Sequence, residues 1–231
     1  MVGDRTDSEP GLVGQRLEQL GGELTLTMRE DFPPRGPVPG GDTADLVVLL
    51  GSASGVMEPG REDAVGTEAG LVRDCLDRGV PVMAICYGAQ LAAHALGGTV
   101  ERSPLSEVGW YYVESHDPSL CPPGPWAQYH YDRFTVPEGA RLLGESEAGP
   151  QGFAVESDDG VLRLVAWQFH PEVTPEILDA WVHEDPTLQA QGVDPEAIVE
   201  QAREREATTR AATYALVDIA LDLMALVPAR A

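Results

Sequence analysis

Cys86 stands in the stretch Ala84-Ile85-Cys86-Tyr87-Gly88, where an apolar run meets an alanine-rich segment. Small residues two places before and after it suit a sharp strand-to-helix turn, because the backbone crowds itself there. Such a turn lifts a thiol off a sheet and sets it at a helix N-terminus, where the dipole favours thiolate. It also leaves the amide of Tyr87 free to donate to an oxyanion. A core strand running into a small-residue helix equally suits a buried, inert cysteine, so the local pattern leaves both readings open.

A thiolate nucleophile needs a base, and the base needs a group that orients it. Of the five histidines, His170 ends the apolar run "LVAWQF" and is followed by Pro171 and Glu172. Glu172 is close enough in the chain to reach back to the imidazole. Read alone, "HPE" is also an ordinary polar loop. The third piece is "LLGSASG", a strand end running into a Gly-rich loop, where Gly51 or Ser52 could supply a second oxyanion amide. Read alone, it too is an ordinary turn.

These groups need a frame that brings them together. "ADLVVLLG" and "VPVMAI" are apolar, β-branched runs that read as strands buried on both faces. Residues 64–78 and 87–96 have helical spacing, and residues 11–20 read as a short helix. "ELTLTM" alternates like a strand, whereas 32–42 is a Pro/Gly loop. The first hundred residues thus alternate strand and helix, which predicts a parallel α/β sheet. Reactive groups in such a sheet gather at the carboxyl ends of strands, where Cys86 and His170 both fall. "GWYYVES", "AQYHYDRFTV", "RLLGES", "GFAVES" and "LRLVAWQF" then read as closely spaced strands, an antiparallel portion added to the sheet. The first strand is either very short or cut by a late start.

After "HPEVTPE" the chain reads as helical. Asp194 as cap, Pro195 as first residue and Glu196 near the positive end mark a helix start. Leu216, Ile219, Ala220, Leu223 and Val227 form an expected apolar stripe. Two units follow: a catalytic domain over 1–190 and a helical extension over 191–231, packed on that domain or at an interface. Cys75 is expected in the core, and Cys121 as an unremarkable loop thiol. His94 is expected against the sheet, His116 and His183 in solvent, and the four tryptophans in the core.

The bulk properties narrow the partners. Fifteen Lys and Arg against 38 Asp and Glu give 231 residues a net charge of −23. That field disfavours nucleic acid and anionic membrane, and no apolar stretch suits a membrane span. Three cysteines without metal-ligand spacing predict a reduced, cytoplasmic protein with no metal and no cofactor.

Together the motifs resemble the class I, triad-type glutamine amidotransferase domain. "LLGS" matches its oxyanion strand, "AICYGAQLAAHALGG" its nucleophile elbow and "QFHPE" its His–Glu pair, and the likeness runs over about 12–181, including "EVGW" and "YHYDRF". The resemblance implies a flavodoxin-like sandwich. It implies glutamine hydrolysis through a γ-glutamyl thioester, with Cys86 as nucleophile, His170 as base and then acid, and Glu172 as orienter. It implies that Gln90 helps to bind glutamine and that the backbone of Tyr129, His130 and Tyr131 holds the amino-acid end. The sequence departs from the family at Ala84 (usually Gly), Ala53 (often Pro) and Tyr131 (often Gly), and the last of these could reshape the pocket. Three functions follow: a glutaminase feeding a separate synthetase partner, a γ-glutamyl hydrolase acting on a small conjugate, or a non-catalytic binding protein on the same fold.

Overall fold

The computed structural model describes residues 1–33, 38, 43–185, 188 and 192–226. Its centre is an eight-stranded sheet. Strands β1 (Val2–Gly3), β2 (Thr27–Met28), β3 (Val47–Leu49), β4 (Val82–Ile85) and β10 (Leu162–Trp167) run parallel, in the order β2-β1-β3-β4-β10. Strands β9 (Gly149–Glu156), β8 (Arg141–Ser146) and β6 (Glu114–Ser115) extend it antiparallel. Strands β5 (Val100–Tyr111) and β7 (Trp126–Phe134) form a separate antiparallel pair.

The period of two in the parallel strands sorts the core into layers. Val47, Leu49, Val82 and Ala84 face one side, with α2 (Glu62–Arg78) and α3 (Tyr87–Ala95). Val48, Leu50, Met83 and Ile85 face the other, with α1 (Gly11–Gln19) and α5 (Pro195–Leu223). A third cluster joins α4 (Pro175–Glu184) to α5 through Ile177, Leu178, Val182, Ile198 and Val199. This is the flavodoxin-like sandwich expected.

The sequence expectations are met in kind and miss in detail. "ELTLTM" forms only the two paired residues of β2. The run before Gly109 was not expected to be extended, yet β5 begins at Val100. The loop expected over 32–42 lies largely outside the described residues, as does Val227 of the apolar stripe. Asp194 caps α5 by accepting from Glu196 N at 3.1 Å. The stripe itself is rotated from expectation: Ile219 and Leu223 are exposed, while Thr209, Thr213, Leu216, Val217, Ala220 and Leu221 are buried. A helix covering both α4 and the sheet buries a broader face than one row of residues. His94 also departs from expectation, pointing to solvent near the end of α3.

Candidate active site

The turn after β4 carries Cys86. Its φ is +50° and ψ −108°, a conformation that a side chain rarely tolerates. Gly88 makes the turn possible, since a Cβ there would lie 2.5 Å from the Leu49 carbonyl oxygen. Ala84, two residues before, is fully buried between β3 and β10. The amide of Cys86 donates to Trp167 O at 2.8 Å. The nucleophile turn is therefore fastened directly to the end of β10.

Three residues beyond Trp167, His170 is held by its amide to Ala127 O at 2.9 Å. Its Nδ1 lies 2.7 Å from Glu172 Oε1, and both side chains are buried. Burial acts against charging His170, but Glu172 and then Cys86 outweigh it and raise its pKa well above 6.5. Nε2 is buried and makes no hydrogen bond of ordinary geometry, although Cys86 acts on the ring. The Trp181 ring packs edge-on to His170 at 4.8 Å and donates to Asp7 Oδ1 at 3.0 Å. Trp181 therefore borders the site rather than the core alone.

The glutamate loop is braced from both sides. Leu12 N donates to Glu172 O at 2.7 Å, and Thr213 Oγ1 to Pro171 O at 2.6 Å. Thr174 then caps α4, accepting from Ile177 N at 3.3 Å.

Gly51 is beside the pair: a Cβ on it would sit 3.2 Å from His170 Cε1 and 3.9 Å from Cys86 Cβ. Ser52 follows, its hydroxyl donating to Asp4 Oδ2 at 2.6 Å. Tyr87 opens α3, where the first amides have no partner within the helix. Gln168, to which the sequence alone assigns no role, donates from Nε2 to Cys86 Sγ at 3.6 Å. Its presence in "QFHPE" was the available signal.

The remaining expected residues divide. Gln90 is buried, and its Nε2 donates to Gln168 Oε1 at 3.2 Å and to Asp132 O at 3.4 Å. Tyr129 accepts from Cys86 Sγ at its carbonyl, 3.8 Å away. The Tyr129 and Tyr131 hydroxyls both donate to Asp185 Oδ2, at 2.9 and 3.1 Å. The His130 side chain turns away into a buried cluster, 3.0 Å from Glu107 Oε2, leaving only its backbone on this side of the strand pair. A groove of about 320 Å³ lies beside Asp132, between Gly55, Glu58 and Arg102.

The other thiols are sealed. Burial pushes Cys75 up to about 11 and Cys121 up to about 12. Cys121 sits on the loop expected from "SLCPPGP" and is fully buried against Gly144 of β8. Among the described residues, no helix is long and apolar enough to cross a membrane.

The family model for glutamine amidotransferase class-I matches residues 37–189. A GMP synthase [glutamine-hydrolyzing] from Thermosipho africanus is 36% identical over 132 residues, covering 54% of this chain and 25% of that protein. One from Anaplasma marginale is 31% identical over 178 residues, 70% of this chain and 32% of that protein. The chain spans about a quarter to a third of the length of these relatives. Among solved structures, a glutamine amidotransferase from Thermotoga maritima superposes with a TM-score of 0.80 at 23% identity, covering 96% of each chain. A glutamine amidotransferase from Methylobacillus flagellatus also gives 0.80, at 21% identity, covering 96% of this chain and 93% of that one.

Proposed function

The chain belongs to the class-I glutamine amidotransferase family, and from that premise we propose that it hydrolyses the side-chain amide of glutamine through a thioester on Cys86. One observation carries this reading: Cys86 at positive φ and the His170–Glu172 pair stand at the carboxyl ends of adjacent parallel strands.

The Cys86 thiol gives its proton to His170 as the sulfur adds to the amide carbon, and the carbonyl oxygen takes the negative charge. Amides from Gly51, Ser52 and Tyr87 are the nearest candidates to stabilise it. Gln168 donates to the sulfur and steers it. His170 gives its proton to the departing nitrogen, and ammonia leaves as the tetrahedral intermediate collapses to the thioester. Water then adds to the thioester carbon and loses its proton to His170. Glutamate departs and the thiol is restored. Glu172 fixes the imidazole and favours its charged form. Gln90 supports Gln168 and the Asp132 carbonyl, so its part in substrate binding runs through the wall of the site.

On this reading residues 1–190 are the catalytic unit, 191–231 brace it, and ammonia passes to a synthetase partner in the cytoplasm. The GMP synthases among the relatives support a synthetase, while the acceptor is a further step. The γ-glutamyl hydrolase reading retains one observation in its favour, the bulk of Tyr131 tied to Asp185 where the family often has Gly. Glutamate release from glutamine and from a γ-glutamyl peptide, with and without a synthetase that lacks its own glutaminase domain, separates the two. Turnover of glutamine that rises with the synthetase is expected. Cleavage of the peptide alone would establish the hydrolase instead.

A further inference from the structure

Arg29 is a charged residue in an unexpected place. It starts a short 3-10 turn, Arg29–Asp31, just after β2, and its side chain is only 3% exposed. A buried guanidinium is costly unless its donors are met. Here Nε donates to Glu68 Oε1 at 2.7 Å, and Nη1 to Asp4 Oδ1 at 3.1 Å and to Gly51 O at 2.8 Å. Nη2 donates to Leu50 O at 2.7 Å. The guanidinium carbon also lies 4.7 Å from the centre of the Tyr87 ring.

These contacts reach the end of β3 and the residue that follows Cys86. In a trans peptide the carbonyl and the following N–H point in opposite directions. With the Leu50 and Gly51 carbonyls held on Arg29, the N–H groups of Gly51 and Ser52 turn to the other side. Asp4, itself bound by Arg29, takes the Ser52 hydroxyl and fixes the far end of this turn. Tyr87 follows Cys86 in the chain. Its ring lies against the guanidinium, and its hydroxyl donates at 2.9 Å to Glu68 Oε2, the other oxygen of the carboxylate that Arg29 holds. Burial and Glu68 push the phenol's pKa up, so it stays a donor.

We propose that Arg29 is a positioning residue that sets, from behind, both sources of oxyanion amides: Gly51–Ser52 through two backbone carbonyls, and Tyr87 through Glu68 and its ring. The proposal rests on the Cys86 thioester reading. It assigns to a residue far from the nucleophile in the chain the task of holding the two amide sources in mutual register. A lysine keeps the charge but lacks the planar fork that meets Glu68, Asp4 and two carbonyls at once.

The test compares two reactions of the same sulfur in the full chain carrying Arg29→Lys. Glutamine hydrolysis passes through an oxyanion, whereas alkylation of Cys86 by iodoacetamide is a displacement at saturated carbon and forms none. We expect kcat to fall on the order of 10²-fold, the size of an oxyanion-donor defect. KM should stay within about threefold and the alkylation rate within about twofold, changes too small to matter beside that loss. Unchanged kcat in a folded variant overturns the proposal. So does an equal fall in kcat and alkylation, which would make Arg29 a strut for the whole site. If Arg29→Lys fails to fold, Tyr87→Phe removes only the link to Glu68. A loss of about tenfold in kcat with normal alkylation is then expected, in proportion to a partly misplaced donor, and parental kcat overturns the proposal. The underlying reading fails separately, if Cys86→Ala hydrolyses glutamine as fast as the parent chain or if the parent shows no turnover with any synthetase.

Discussion

The two halves of the reactive pair are held in opposite ways. Cys86 is fixed by the shape of its own turn: a φ of +50°, Gly88 packed against Leu49, Ala84 in the strand behind it and a hydrogen bond from its amide to Trp167 O leave it little freedom. The His170–Glu172 half sits on a loop whose rigidity is borrowed. Leu12 holds Glu172 from the first helix, Thr213 holds Pro171 from the last, and Trp181 covers the imidazole. A turn that must store backbone strain carries its own small residues close by. A loop that only needs bracing can take its braces from anywhere in the chain.

If the comparison is sound, damage should differ in kind on the two sides. The largest effect is expected within the pair itself. His170→Ala should lower kcat by on the order of 10³-fold or more, since the proton carrier is lost. Glu172→Gln should retain more activity, because the imidazole survives with a weaker orienting partner. Steady-state rates of glutamate release measure both. Equal and negligible losses would remove this pair from the chemistry and leave Cys86 without its base.

The braces come next. A Cβ on Gly11 would lie 2.0 Å from the Glu172 carbonyl oxygen, at a φ of +50°. Gly11→Ala should therefore displace the loop, lowering kcat about tenfold or more, a cost typical of small misplacement, together with the melting temperature. Thr213→Val is milder. It keeps the shape but leaves the Pro171 carbonyl without its donor, a cost of about 1–3 kcal/mol, with a few-fold loss in kcat. Cys86 should alkylate at the parental rate in both variants. A slowed alkylation would mean that the two halves are mechanically one, and the contrast drawn above would fail.

The same contrast explains what the sequence made legible. The nucleophile turn is written in five consecutive residues, and the parallel strands in unbroken apolar runs such as Val47–Leu49. The expected Cys86, His170, Glu172 and Gly51 do converge. What stayed hidden depends on distant contacts. Arg29 follows "ELTLTM" with no local mark of burial, and its partners lie at positions 4, 50, 51 and 68. The part of β5 before Gly109 was hidden because Pro104 and runs of exposed residues on either side of it break the alternation, and its ladder shifts register between Arg102 and Glu107. A pair outside the main sheet buries less of each strand, so it imposes less pattern. The rotated stripe on α5 has a similar origin, since Thr213 is buried to serve a carbonyl and not for hydrophobicity.

The smallest effect is a pH dependence of stability on the His170 side alone. Glu172 and Cys86 raise the His170 pKa well above 6.5 against the opposing cost of burial. A histidine raised on folding binds its proton more tightly in the native state. Its stabilising contribution is therefore complete below about pH 6.5, the unfolded value, and is lost as pH climbs through the raised native value. Replacing Glu172 by Gln removes the largest raising influence and leaves burial, which favours the neutral ring, opposed by Cys86 alone, so that variant should lose less in this window. The groups that face the imidazole are Glu172, Cys86 and, through Trp181, Asp7. Burial, and to a smaller extent Glu172, raise the Asp7 carboxyl as well, so its loss of stability has the same sign but starts lower, from the carboxylate range. The informative quantity is thus the difference in melting temperature between the parent chain and Glu172→Gln, followed from about pH 6 to about pH 9.5. It should shrink steadily as pH rises, by a few degrees in a chain of this size. A difference that stays constant across the range would mean that Glu172 holds a neutral imidazole by geometry alone, and the electrostatic part of the brace would be withdrawn.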